Sequence, residues 1–175
     1  LISEVVDLPA SEGSSSASFG LDISEHLERI SGRSAPGTYL VGVRNLDTGS
    51  TRSWMRLQVT DLSLTTLEGA DEANLVVTSL STGRPVSGAS VRVEGTVREP
   101  GEPTVWATLA EGRTDRRGVY RWQPPGSDEI LYRTVRRIVV TKGSDALVLD
   151  PHSPPQTYRR GRWSSDSSAW LQWGF

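Results

Sequence analysis

The sequence predicts an all-β fold of tandem antiparallel β-sandwiches with one short helix. Three features support this: short segments of alternating polarity, turn signals roughly every 8 to 12 residues, and only one segment with helical spacing. The clearest case is residues 79–93, where a Gly-Arg-Pro-Val turn precedes an alternating strand. Residues 112–120 repeat this arrangement, with a Thr-Asp-Arg-Arg-Gly turn before a second strand. Each of these two segments is therefore typical of a turn that leads into a strand.

The length of 175 residues accommodates two compact sandwiches, since domains of roughly 80 to 90 residues are common. We expect residues 1–66 to form a first sandwich that could be partial, and residues 67–150 to form a second. Residues 151–175 are expected to be a linker and the start of contact with a next domain. Because the chain does not begin with methionine, we also expect it to be a piece of a longer protein.

One short helix is predicted in the first unit. Asp22 with Glu25 three residues later is typical of a helix start, and Gly32 predicts the helix end. The expected apolar face consists of Ile23, Leu27 and Ile30.

The strands are predicted from alternation and bounding turns. In the first unit we expect strands at 1–8, 17–21, 38–43 and 54–60. In the second unit we expect strands at 74–80, 89–95, 104–109, 119–122, 134–142 and 146–149. A Pro/Ser/Arg-rich linker over 150–168 and a final strand over 169–175 complete the prediction.

Composition excludes several classes of function. The chain has no cysteine, which excludes disulfides, thiolate metal sites and cysteine nucleophiles. The net charge of -2 gives no global field for nucleic acid or an anionic membrane. No run of 18 apolar residues is present, so direct membrane insertion is not expected.

Five segments occur in the order seen in one known family. They lie at 39–43, 59–64, 80–91, 112–118 and 142–149. In this order the chain resembles bacterial alpha-2-macroglobulin-like proteins, and residues 170–173 are similar to the segment that leads into a next macroglobulin domain. The resemblance implies macroglobulin-like or fibronectin-like sandwiches from the N-terminal half of such a protein. It further implies a non-catalytic scaffold role in an endopeptidase inhibitor, a protease trap.

The implied partners are neighbouring domains of the same parent chain and the proteases that the parent targets. The implied location is the periplasm or cell envelope, with a lipid anchor on the parent left open. No functional residue is transferred, because the family's thioester needs a cysteine that this chain lacks. The alternative is a prealbumin-like or adhesin-type sandwich that binds a cell-surface polymer, which the same turns would fit equally.

The residues predict no catalytic, cofactor-binding or metal-binding site, and an enzyme is not expected. Asp115 could suggest calcium binding, but a hairpin turn with its side chain bonded to the local backbone and Gly118 at positive φ is favoured. His26 and His152 have no converging partners and are expected to be exposed. The serines at 14–18 and 164–168 lack a nucleophile elbow.

Arginine and tryptophan are concentrated in the second half. The arginines after residue 112 are Arg113, Arg116, Arg117, Arg121, Arg133, Arg136, Arg137, Arg159, Arg160 and Arg162. One interpretation is a basic face that binds nucleic acid, polysaccharide or an anionic surface. We favour ordinary surface charge compensated by nearby acidic residues, namely Glu99, Glu102, Glu111, Asp128 and Glu129. Strand alternation would put Arg136 and Arg137 on opposite faces. Trp106 and Trp122 are expected in the core or in packing between domains. Together with Trp163, Trp170 and Trp173, they also suggest a sugar-binding platform. Trp170 and Trp173 are three residues apart, however, so a strand would place them on opposite faces, and we expect an exposed indole there to contact the next domain instead of a sugar.

Overall fold

A computed structural model describes residues 2–7, 20–32, 36–44, 46, 52–69, 72–123 and 133–149. The chain divides into two compact units, Leu1–Val59 and Thr60–Phe175. Every strand pair in the described part is antiparallel, and the helix there is short. The predicted all-β antiparallel class with one short helix is therefore confirmed.

Helix α1 (Ser24–Ser31) forms in the first unit where it was predicted, but its N-cap is Ile23 and not the predicted Asp22. The carboxylate of Asp22 accepts a hydrogen bond from the Ser24 amide at 2.9 Å, which satisfies one of the free donors at the helix start. Gly32 ends the helix with φ 76° and donates its N–H to the Glu28 carbonyl at 2.7 Å. Glycine adopts this left-handed conformation readily because it has no Cβ. No residue of α1 is fully buried.

A hairpin follows, formed by β1 (Gly37–Arg44) and β2 (Arg52–Val59). Its register places Tyr39 opposite Leu57 and Val41 opposite Met55. Because side chains alternate along a strand, these residues share one face of the hairpin. The strands predicted at 38–43 and 54–60 are confirmed.

The strand predicted at 1–8 is wrong, since residues 2–7 form neither helix nor strand. The strand predicted at 17–21 fails at residues 20 and 21, and its other residues lie outside the described part. Local propensity alone does not make a strand, because cross-strand pairing supplies most of its stability.

Seven strands form the described part of the second unit. They are β3 (Leu62–Glu68), β4 (Ala73–Ser79), β5 (Ser90–Val97), β6 (Val105–Arg113), β7 (Val119–Trp122), β8 (Arg133–Lys142) and β9 (Asp145–Leu149). We call the β1–β2 hairpin sheet A. In the second unit, sheet B has the strand order β3-β4-β7, and sheet C has the strand order β6-β5-β8-β9. The six predicted strands of this unit correspond to β4 through β9.

Strand β3 was missed by the sequence analysis. It pairs with β4 from Leu62 opposite Ser79 to Glu68 opposite Ala73, so it belongs to the second unit. Leu62 and Leu64 are each only 4% exposed, which is the burial expected for one face of a strand. The predicted boundary between residues 66 and 67 falls inside this strand, whereas the two units meet between residues 59 and 60.

One hydrophobic core joins the two sheets of the second unit. Sheet B contributes Leu62, Leu64, Ala73, Leu75, Val77 and Trp122, and sheet C contributes Val91, Val93, Ile138, Val140 and Leu147. Contiguous burial from two facing sheets is the defining feature of a β-sandwich. The sandwich predicted for the first unit remains a prediction, as does the linker and final strand over 151–175, which lie outside the described residues.

The two turn segments that first indicated this fold are bonded to each other through Thr114. Its hydroxyl donates to the Val86 carbonyl at 2.7 Å and accepts from the Ala89 amide at 2.9 Å. Its own amide donates to the Ala89 carbonyl at 2.9 Å. Thr114 is 5% exposed, and these bonds provide the partners that a buried hydroxyl requires.

Candidate functional site

A buried carboxylate lies between two arginines on sheet C. The Glu94 side chain on β5 is only 6% exposed. Arg92 Nε lies 2.5 Å from its Oε1, and Arg137 on β8 donates from Nε to its Oε2. A charge removed from water requires such partners, because desolvation is otherwise too costly. We call these three residues the Glu94 cluster.

The cluster lies on the face of sheet C that points away from the core. Val91 and Val93 are fully buried in the core, so alternation places Arg92 and Glu94 on the opposite face of β5. Arg137 reaches the same face because its Cα pairs with that of Glu94 across the strands. Sequence reasoning did not single out Arg92 and Glu94, although opposite charges two residues apart on a predicted strand were an available signal.

Two β-bulges meet beside Glu94. In β6 the register shifts between the partners of Val93 and Glu94, which leaves Leu109 without a partner residue. In β8 the register shifts between the partners of Glu94 and Gly95, which makes Arg136 the extra residue of the bulge. An extra residue bends its strand and redirects nearby side chains. Bulges on both neighbouring strands therefore set the local geometry around this carboxylate.

The residue after Glu94 must be glycine for the strands to approach as they do. A Cβ on Gly95 would lie 2.0 Å from the Thr134 carbonyl oxygen, which is far inside contact distance. A glycine within a strand commonly marks such a close backbone approach. Gly95 therefore permits the tight packing of β8 against β5 next to the cluster.

Trp106 on β6 extends the cluster at its surface. The guanidinium carbon of Arg137 lies 5.1 Å from the centroid of the Trp106 ring, within the range of a cation–π interaction. Trp106 is 54% exposed, and the side chains of Arg92 and Arg137 are 44% and 42% exposed. The buried anion thus has a partly exposed rim of two guanidiniums and an indole.

The pKa of the Glu94 carboxyl is lowered from its ordinary value of 4.5. Burial is the largest single influence and raises the pKa, but the hydrogen bond and charge of Arg137, together with Arg92, outweigh it. The group is therefore ionised at neutral pH. A carboxylate that holds its charge this firmly is a weak general base, so the cluster is suited to structure and recognition.

The described residues contain no group of three or more His, Asp or Glu side chains placed to hold a metal ion. Within that same part of the chain, no helix is long and apolar enough to cross a membrane.

Asp115 forms the predicted turn. Its Oδ1 accepts hydrogen bonds from the amides of Arg117 at 2.8 Å and Val119 at 2.9 Å, and Gly118 has φ 75°. The pKa of Asp115 is lowered, chiefly by the Val119 amide. The turn interpretation is confirmed.

Asp61 is a hydrogen-bonding centre that the sequence analysis did not identify. Its carboxylate accepts from the Ser79 hydroxyl at 2.8 Å and the Ser81 amide at 2.7 Å. Its own amide donates to an Asp145 carboxylate oxygen at 2.9 Å. The pKa of Asp61 is lowered, chiefly by the Ser79 hydroxyl. Asp61 thereby ties the start of the sandwich to the turn after β4 and to the start of β9.

His26 differs from its predicted exposure. Its side chain is 28% exposed, and its Nε2 lies 3.1 Å from the Glu4 carboxylate. Its Nδ1 is buried and has no hydrogen-bond partner among the described residues. Arg29 contacts the same carboxylate, so Glu4 lies against α1 beside His26. His152 and the serines at 14–18 and 164–168 lie outside the described residues.

The arginines do not all behave as simple surface charge. Those that are exposed are Arg113, Arg116, Arg117, Arg121 and Arg133. Arg136 and Arg137 are half-buried, and the three arginines after residue 150 lie outside the described part. Strict alternation does not hold near Arg136 because of the bulge: Val135 and Ile138 both pack against the core. Strand alternation therefore cannot be used to place Arg136 and Arg137 on opposite faces, as the sequence analysis did.

The two tryptophans on strands have different environments. Trp122 is 5% exposed and belongs to the core, as predicted. Trp106 does not pack in the core, because alternation from Thr96 places it on the outer face. Its packing between domains stays a prediction. Trp163, Trp170 and Trp173 lie outside the described residues.

Comparison with known proteins identifies the second unit. A model of the bacterial alpha-2-macroglobulin MG3 domain matches residues 59–161, which is more than half of the 175 residues. The match begins at the boundary between the two compact units. No curated protein matches the chain.

Two similar solved structures are crystal structures of native alpha-2-macroglobulin from Escherichia coli. One spans domains NIE-MG1, with 16% identity and a TM-score of 0.49 over 67% of this chain and 50% of that chain. The other spans domains MG0-NIE-MG1, with 17% identity and a TM-score of 0.50 over 71% of this chain and 36% of that chain. This chain thus spans half or less of the length of either, and at such identity the likeness concerns the fold. Because the MG3 domain model matches more than half of this chain, the chain belongs to the bacterial alpha-2-macroglobulin MG3 domain family.

Proposed function

We propose that the chain supplies non-catalytic scaffold domains to a bacterial alpha-2-macroglobulin-like endopeptidase inhibitor that acts as a protease trap. The observation that carries this proposal is the MG3 domain match over residues 59–161. The antiparallel sandwich of the second unit, with one core between two sheets, supports it. The same match favours this function over a polymer-binding adhesin.

A sandwich with a single continuous core is suited to spacing and orienting its neighbours, since close-packed interiors deform little. The partners are then neighbouring domains of the same parent chain, and the proteases that the parent captures. The location is the periplasm or cell envelope. Residues before the boundary at 59 belong to a further macroglobulin-like sandwich, for which the apolar face of the β1–β2 hairpin provides support.

The test uses the full-length parent protein mixed with an endopeptidase. A trap hinders access of large substrates, so hydrolysis of casein should fall while hydrolysis of a short chromogenic peptide continues. If the hydrolysis rate falls for both substrates, or for neither, the trap proposal is wrong.

A pair of variants links that activity to this chain. Val93→Asp puts a charge in the core of the sandwich, where Val93 is fully buried, and should abolish inhibition by the parent. Thr108→Asp places the same charge on an exposed position of β6 and should leave inhibition intact. If parent proteins that carry Val93→Asp and Thr108→Asp inhibited the endopeptidase equally well, a scaffold role for this unit would be contradicted.

A further inference from the structure

We propose that the outer face of sheet C around Arg92, Arg137 and Trp106 docks an acidic segment from another domain of the same parent chain. We call this surface the arginine–tryptophan face. The proposal rests on the scaffold function proposed above, and it specifies the surface and the chemistry of the partner.

The two arginines are held in place before any partner arrives. Both contact Glu94 through Nε, one at each carboxylate oxygen. Arg92 and Arg137 are each more than 40% exposed. An arginine whose orientation is already set loses less side-chain entropy on binding, and its planar end can donate two parallel hydrogen bonds to a carboxylate.

The charge of the cluster selects an anionic partner group. The register places Glu111 opposite Arg92 and Arg113 opposite Ser90 on this same face. Together with Arg92, Arg137 and Glu94, three arginines there face two carboxylates, which leaves one positive charge in excess. A partner carboxylate would balance that charge next to a site that is already partly desolvated. Such complementarity mainly sets the specificity and register of an interface.

An apolar contact lies beside this charge. Trp106 is 54% exposed and lies on β6, the edge strand of sheet C. Tryptophan and arginine are among the residues most enriched at the energetic centres of protein interfaces. An apolar side chain next to the partner carboxylate would cover the Trp106 ring.

The surroundings favour a protein segment over a uniformly anionic polymer. Glu111 on β6 is the register partner of Arg92, so it lies on the same face as the arginines, as Glu94 does. A surface with both signs of charge suits a polypeptide that carries both signs, whereas an acidic polysaccharide or lipid surface would meet repulsion from the glutamates.

The test places a photo-cross-linking p-benzoylphenylalanine at position 106 of the full-length parent. Irradiation followed by mass spectrometry should give an intramolecular cross-link to an Asp- or Glu-containing peptide of another domain. The same probe at Thr65, which is exposed on β3 of the other sheet, should not yield that peptide. A cross-link to a polysaccharide or to a separate protein, or none to another domain, would overturn the proposal.

A second variant tests the role of charge without disturbing the Glu94 cluster. Changing the cross-linked Asp or Glu of the partner segment to Arg should lower the cross-link yield about tenfold, because like charges then face each other. An unchanged yield would refute the carboxylate–arginine contact. Protease inhibition by the parent that carries the natural partner segment is measured separately. If that parent gives no cross-link but still inhibits, docking alone is overturned; if it gives the cross-link but does not inhibit, only the trap function is overturned.

Discussion

Replacement of Glu94 by glutamine is expected to destabilise the second unit while keeping its shape. The amide fills the same space but removes the negative charge that Arg92 and Arg137 share. Hydrogen bonds to charged groups contribute about 1.5 to 3 kcal/mol each. Because both arginines are more than 40% exposed, water compensates much of the loss. The expected decrease in the free energy of unfolding is therefore about 2 kcal/mol for the two contacts together.

Urea unfolding monitored by tryptophan fluorescence measures this decrease, since Trp122 is buried in the core. For a unit of this size, about 2 kcal/mol corresponds to a loss of roughly 8 to 16 °C in Tm. Glu102→Gln is the matched control, because Glu102 is exposed and its change should stay within about 0.5 kcal/mol. If Glu94→Gln were as mild as the control, the cluster would contribute no net stability and the reasoning would be refuted.

The pH dependence of this difference tests the charge directly. The folded-state pKa of Glu94 lies below its ordinary value of 4.5, so its contribution to stability is complete above that value. It is lost as the pH falls through the lowered folded-state pKa. The gap in urea midpoint between wild type and Glu94→Gln should accordingly be constant from pH 7 to pH 5 and narrow toward pH 3. A gap that does not change with pH would show that packing, and not charge, is lost.

Four further substitutions, two tests with one control each, concern the turns and the Thr114 hydroxyl. Gly118→Ala should cost at least about 2 kcal/mol, because φ is 75° and the new Cβ would lie 2.5 Å from the Val77 carbonyl oxygen. Gly143→Ala, where φ is 60° and space is open, should cost about 1 kcal/mol; equal costs would argue against the clash. Thr114→Val should cost about 2 kcal/mol because two buried backbone partners lose their hydrogen bonds, whereas Thr108→Val on exposed β6 should stay within about 0.5 kcal/mol. Chemical denaturation measures all four, and a mild Thr114→Val would contradict the role assigned to its hydroxyl.

The local sequence pattern was sufficient to predict a strand where one face of the strand is buried and turns mark both of its ends. Strands β4 through β9 were predicted because apolar and polar residues alternate between Gly- and Pro-containing turns. The Asp115 turn was predictable for the same reason, since Asp at the start and Gly118 at positive φ act within five residues. β3 was missed because its local signal, the alternating Leu62 and Leu64, is short. Only its pairing with β4 shows which unit the strand belongs to.

The candidate site was accessible to sequence reasoning only in part. Alternation along β5 puts Arg92 and Glu94 on one face, but nothing local indicates that Glu94 is 94% shielded or that Arg137 is its second partner. Both depend on the strand register and on two bulges. Trp106 was expected in the core or between domains, and only the register opposite Thr96 places it on the outer face.

The amino-acid sequence by itself determined the antiparallel class, the positions of most strands and the chemistry of the turns, because these follow from side-chain period and backbone freedom over a few residues. The tertiary structure decided where the second unit begins, which strands neighbour each other, and how two arginines from different strands converge on one buried carboxylate. Those outcomes depend on contacts between residues far apart in the chain, such as the 43 positions that separate Glu94 from Arg137. The register of β8 against β5 selects that partner, and no local pattern specifies it.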